Sequence, residues 1–185
     1  MRGQVLGVWF GPRSTVAEVR DVTTGTRTAT GVVPHRELSD HELDPAAWWR
    51  SLALAINRTG EQTFDALSIA GAHPGLVLVD QAGVALRPMQ PWTEATTDVA
   101  RVRQALGMQR WARRAGMVPD ATSTITRLAW LRRTDADTFA RIGLALAAHE
   151  WLIYRLTGRA VTDQGSASES GMWSPHTGTW IPEAL

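Results

Sequence analysis

The stretch Leu6-Gly7-Val8-Trp9-Phe10-Gly11-Pro12-Arg13-Ser14-Thr15 runs from an apolar strand into a glycine turn and leaves it through two hydroxyls. That is the shape of a phosphate-binding hairpin. A turn holding nucleotide phosphates and Mg²⁺ needs an acid for the metal and N–H or hydroxyl donors for the oxygens. Gly11, Ser14 and Thr15 are the donors this stretch could present. Trp9 and Pro12 stand where an acid and a further donor would be useful, and proline also removes an N–H. A second group of chemically capable residues lies downstream. His73 and Pro74 lie in the turn Gly71-Ala72-His73-Pro74-Gly75, and Trp92 and Glu94 lie further on. An aromatic face with an imidazole and a carboxylate is the set that sugar sites combine.

Composition narrows the chemistry. All 19 basic residues are arginine, so a phosphate-loop lysine and a Schiff-base lysine are excluded. There is no cysteine, which excludes disulfides, thiolate metal sites and a cysteine nucleophile. A formal net charge of +1 gives no electrostatic ground for nucleic acid or an anionic membrane as partner. The 185 residues, 44% hydrophobic and 20% charged, are enough for one α/β domain with its own core. Met1-Arg2-Gly3-Gln4-Val5-Leu6 is too short and too interrupted for a signal peptide. No apolar run reaches membrane-spanning length, so a cytoplasmic protein is expected.

The elements that must position these residues are legible. Residues 4–10, 13–22 and 27–33 read as three strands joined by short turns, an antiparallel meander. Asp44-Pro45 opens a helix, with Asp as N-cap and Pro at the first helical position, ending near Gly60. Residues 64–72 form a buried strand, and 76–80 with 84–86 a hairpin across Gln81-Ala82-Gly83. From Thr93 the period becomes helical. Helices are expected over 94–106, 108–115, 123–131, 135–141 and 149–156, the last stopped by Gly158. A short strand is expected over 143–147. Residues 163–171 read as a loop of small residues, and 172–174 with 179–180 flank a turn.

The order of these motifs resembles the amino-terminal lobe of the FGGY carbohydrate kinases, most closely the xylulokinases, of the actin-like, ribonuclease-H-like superfamily. The resemblance rests on Leu6 to Gly11, Asp44-Pro45-Ala46-Ala47-Trp48-Trp49, Leu67-Ser68-Ile69-Ala70-Gly71 and Val77-Leu78-Val79-Asp80. It continues through Leu86-Arg87-Pro88 with Trp92, Ile125 to Leu131, His149-Glu150-Trp151-Leu152, Leu156-Thr157-Gly158, and Thr162-Asp163 to Trp173. It implies a mixed sheet that starts with the antiparallel meander and is flanked by helices. It also implies ATP and Mg²⁺ as the family's cofactors, a pentose or polyol substrate, and sugar contacts from residues 73–74 and 92–94. By the same resemblance, Trp9 and Pro12 replace the hairpin's Asp and hydroxyl, and Ala72 and Pro74 replace a Gln and a His. Glu94 keeps a carboxylate, Ala148-His149-Glu150 stands for Pro-His/Lys-Asp, and Ser166 replaces an acid. The family's catalytic Asp lies beyond the last matched motif.

Three readings are open. The chain is a single incomplete amino-terminal lobe over 1–185 with no cofactor or catalytic residue of its own, the second lobe being absent. Alternatively it is one half of a split sugar kinase, or a sugar- or protein-binding module. A second copy or a separately encoded second lobe would then be its partner. Each motif also has a structural role available to it. His73 would be an exposed turn residue, and Trp92 a core edge. Glu94 would be a first-turn acid, and His149-Glu150 a helix-start pair. Asp163 would cap or brace the loop after it, and Trp9 would serve core packing or cleft filling.

Overall fold

The computed structural model describes residues 3–11, 13–35, 44–61, 63–71, 75–88 and 98–184. The chain divides into two compact units. The first takes residues up to Val77 with 87–90 and 146–160; the second takes 78–86, 91–145 and 161–185.

The first unit is built on β1 (Gln4–Phe10), β2 (Ser14–Asp21), β3 (Arg27–Pro34) and β4 (Ala66–Gly71). Their order is β3-β2-β1-β4. The first three strands form the expected antiparallel meander, and β4 joins β1 in parallel. Period-two alternation sorts the side chains. Leu6, Val8, Phe10, Ala17, Val19 and Ile69 are buried. Helix α1 (Pro45–Asn57) lies over β2 and β3. It begins as expected: the Asp44 carboxylate accepts from the Ala46 N–H at 2.9 Å, with Pro45 in the first turn. Its Trp48 packs on Phe10, with ring centroids 5.2 Å apart, and edge-on to Trp151 at 6.4 Å. Trp151 belongs to α6 (Ala148–Thr157), which packs against β4 and ends on left-handed Gly158.

Strands β5 (Leu76–Val79) and β6 (Leu144–Ala147) pair with one another, and the division between the units falls within both. The hairpin after β5 closes on Asp80, whose carboxylate accepts from the N–H groups of Ala82 and Val84, each at 2.9 Å.

The second unit holds α2 (Val99–Leu106), α3 (Met108–Ala115), α4 (Thr124–Thr134), α5 (Ala136–Ala140) and α7 (Gln164–Glu169). It closes with the β7 (Trp173–Ser174) and β8 (Thr179–Trp180) ribbon. Val102, Trp111, Ala115 and Ile181 form its core, and the Trp111 indole donates to the Val102 carbonyl at 2.9 Å. Asp98, buried at the start of α2, accepts from Arg133 at 2.8 Å.

Helix α7 corrects the expected loop at 163–171. Serine and glycine have weak helix propensity, but Asp163 overrides it as an N-cap. Its carboxylate accepts from the Ser166 N–H at 3.0 Å and from the Ser166 hydroxyl at 2.8 Å. Among the described residues, no helix is long and apolar enough to cross a membrane.

Asp120 opens the turn before α4. It accepts from the Thr122 hydroxyl at 2.6 Å and from the N–H groups of Thr122 and Ser123 at 2.7 and 3.1 Å. The Thr122 hydroxyl, then these N–H groups and the Ser123 hydroxyl, hold its carboxyl below the usual value of 3.8. Burial pushes the Arg127 guanidinium down to about 9, and the Asp120 charge acts against that shift. A carboxyl depressed on folding contributes stability above its unfolded value, and that contribution disappears as pH falls through the folded one. Asp120→Asn keeps the acceptor oxygen and removes the charge. It should cost about 1 kcal/mol at neutral pH, a difference from wild type that closes below about pH 3.8. Urea denaturation across pH reads this, and a gap that stays constant down to about pH 3 would sink the assignment.

Candidate functional site

The β1–β2 turn brings Gly11, Ser14 and Thr15 together, and its own bonds decide what they present. The Gly11 N–H donates to the Ser14 carbonyl at 3.0 Å, closing the hairpin. Thr15 is fully buried on the side facing α1. Its hydroxyl accepts from Ser51 at 2.9 Å and shares a hydrogen bond of 2.8 Å with His35 Nε2. His35 also stacks obliquely on Phe10 at 5.0 Å, and its N–H donates to the Arg13 carbonyl at 2.8 Å. The turn is thus stapled from β3 and α1 together. Ser14 remains the half-exposed hydroxyl. Pro12 lies outside the described residues.

Trp9 does not pack in the core. It is 48% exposed on the opposite face of β1, and its indole leans over the turn. A Cβ built on Gly11 would stand 2.5 Å from the indole nitrogen. A side chain at position 11 would make the indole shift, and the core-packing role expected for Trp9 is not the one it takes. Beside it opens a concavity of about 460 Å³, lined by Gly7, Trp9, Glu18, Arg20, Ser68 and Ala70 among others. Glu18 accepts from Arg20 at 2.7 Å and from Arg27 at 3.1 Å. The Arg20 hydrogen bond first, and then that from Arg27, holds the Glu18 carboxyl below its ordinary range.

His73, Pro74, Trp92 and Glu94 all lie outside the described residues. Their neighbours show one feature. Gly71 ends β4 against the first turn of α6, where a Cβ would stand 2.9 Å from the His149 Cβ and 3.2 Å from its Nδ1. The Gly75 carbonyl accepts from the Ala148 N–H at 3.1 Å. Gly71 and Gly75, the described residues on either side of positions 72–74, are therefore both held at the start of α6. The helix-start reading of His149-Glu150 is borne out: both stand in the first turn of α6, and the Glu150 carboxylate accepts from the Ala147 N–H at 2.6 Å. Ala147 has no side-chain oxygen to return that bond. From that position His149 also sets its imidazole beside Gly71. Among the described residues, no group of three or more His, Asp or Glu side chains is arranged to hold a metal ion.

Residues 19–185 match the FGGY family of carbohydrate kinases, N-terminal domain. The chain is 36% identical over 188 residues to the xylulose kinase of Streptomyces rubiginosus, a match covering 98% of this chain and 39% of that protein. The crystal structure of xylulose kinase from Rhodospirillum rubrum superposes with a TM-score of 0.86 at 24% identity, over 98% of this chain and 40% of that one. Plasmodium falciparum glycerol kinase with ADP superposes equally well, with a TM-score of 0.86 at 16% identity, over 99% and 40%. Kinases named for different substrates share this fold, so the superpositions speak to architecture alone. The chain spans about two-fifths of the length of the relatives it matches.

Proposed function

Because the chain belongs to the FGGY family of carbohydrate kinases, we propose that it is the amino-terminal part of a xylulokinase-type enzyme. ATP-dependent phosphorylation of a ketopentose then requires polypeptide beyond residues 1–185. The observation that carries this reading is the identity to the Streptomyces rubiginosus xylulose kinase along nearly the whole chain. A pentose or polyol would meet His73, Pro74, Trp92 and Glu94, with His149 contributing from the start of α6. Gly11, Ser14 and Thr15 form the turn that would face nucleotide.

That turn does not fit a Mg²⁺-nucleotide as built. Trp9 leans over Gly11, the Gly11 N–H bonds Ser14, and the Thr15 hydroxyl is engaged by Ser51 and His35. Phosphoryl transfer rests on positioning and charge stabilisation, so the chain alone is not catalytic on this reading.

The test is a hybrid in which this chain replaces the matching segment of the Streptomyces rubiginosus enzyme. ADP release is followed with D-xylulose and Mg²⁺-ATP. The isolated chain should show no turnover and the hybrid weak turnover. Trp9→Asp in the hybrid clears the turn and restores an acid, so it should raise kcat/KM by about tenfold or more. Turnover by the isolated chain would refute the reading, as would a folded hybrid silent in both forms. The occupied turn also favours a second reading, a sugar-binding module without chemistry. On that reading xylulose or xylitol raises the melting temperature of the isolated chain, ADP does not, and both hybrids stay silent.

A further inference from the structure

Charge is spread unevenly along this chain. Its formal net charge is +1, yet residues 98–134 hold eight arginines against two aspartates and no glutamate. Two of these arginines have structural roles: Arg127 is buried, and Arg133 pairs with buried Asp98. Helix α3 carries three more, Arg110, Arg113 and Arg114, all exposed. Their spacing sets them on one helix face, clear of Trp111 and Ala115, which α3 turns into the core. Like charges at that spacing destabilise a helix. The helix C-terminus offsets this for Arg113 and Arg114, which lie in the last turn, but Arg110 stands a turn earlier.

Among the described residues, neither Arg110 nor Arg113 has an acid within ion-pair distance. Arg114 does. Glu183, from the 3₁₀ turn Pro182–Ala184, lies 3.0 Å away, and both side chains are about half exposed. A carboxylate thus already docks at one end of the arginine stripe.

The apolar surroundings point to the kind of partner. Met108, at the start of α3, is 61% exposed. Strand β7 packs on α3, and across the ribbon Trp180 is 43% exposed, edge-on to Trp173 at 5.2 Å. Arginine, methionine and tryptophan are enriched at protein–protein interfaces, where lysine is depleted. Nucleic acid fits less well. An eight-residue helix is about 12 Å long and meets few phosphates. The chain's small net charge adds no long-range field.

We infer that the exposed face of α3 docks an acidic amphipathic segment of a partner protein. Arg110 and Arg113 take its carboxylates in bidentate pairs, and Met108 and Trp180 meet its apolar side chains. The inference stands whether or not the chain is part of a kinase.

The probe is a fluorescein-labelled peptide with glutamates one helical turn apart and leucines between them, read by anisotropy against the chain. It should bind in the micromolar range, and more weakly as salt rises. Arg110→Gln combined with Arg113→Gln should weaken binding by about tenfold or more, with the melting temperature within about 2 °C of wild type. Glu183→Gln, which releases Arg114, should tighten it by about threefold. The same peptide with glutamine for glutamate should not bind. Failure of the acidic peptide to bind overturns the proposal, as does a double variant that binds it like wild type. A short DNA duplex that binds more tightly than the peptide overturns it in favour of nucleic acid. A large fall in the melting temperature of the double variant makes the arginines structural and overturns it as well.

Discussion

Gly31→Val should cost the first unit about 3 kcal/mol or more, enough to unfold much of the population at moderate denaturant. The reason is contact, not propensity. A Cβ at Gly31 would stand 2.0 Å from the Ala55 carbonyl oxygen and 2.9 Å from the Arg58 Cβ. Both partners belong to α1 or its C-cap, so any side chain at 31 must lift the helix from β3. Backbone cannot yield as a flexible side chain would. That displacement also pulls Ser51 from Thr15 and Trp48 from Phe10, which couples the β1–β2 turn to the same failure. Gly7→Ala is the matched control. Its Cβ enters open space, so it should be neutral or stabilising by about 0.5 kcal/mol. Equal midpoints for Gly31→Val and wild type in urea would show that α1 does not sit on β3 as described.

Trp48→Ala should cost about 3–5 kcal/mol. Trp48 is 1% exposed and joins three elements, touching Phe10 of β1 and Trp151 of α6 from its place on α1. Removing the indole leaves a cavity among aromatic rings that are themselves fixed by strand and helix backbones, so collapse is limited. Trp9→Ala removes the same side chain from a half-exposed position and should cost under about 1 kcal/mol. The two variants together test which tryptophan holds the unit together. Denaturation curves in which they shift equally would contradict the burial assigned to each.

The degree to which local signals could be read differs by kind. The meander, the Asp44 cap with Pro45 at the first helical position, the hairpin on Asp80 and the Gly158 stop all rest on interactions between residues close in sequence. Those signals are carried by residue type and spacing. Helix α7 escaped because its serines and glycine argue for a loop, while the deciding bonds from Ser166 to Asp163 depend on geometry that composition does not reveal. At the site, the absence of any acid between Leu6 and Thr15 is legible in the chain itself. That the indole leans over Gly11, and that His149 lies beside Gly71, is not.

The strands show the limit most clearly. Alternation in β2 by itself places Val16, Glu18 and Arg20 on one face and Thr15, Ala17 and Val19 on the other, because successive side chains of a pleated strand point oppositely. Which of those faces α1 covers is a long-range matter, settled by Gly31 admitting Ala55 and by Phe10 receiving Trp48. That packing buries the Thr15 hydroxyl and leaves Trp9 and Gly7 on the open side. The family and the order of elements were therefore properties of the chain. Which hydroxyl of the turn stayed accessible, and which sheet face stayed open, were decided only when residues far apart in sequence came into contact.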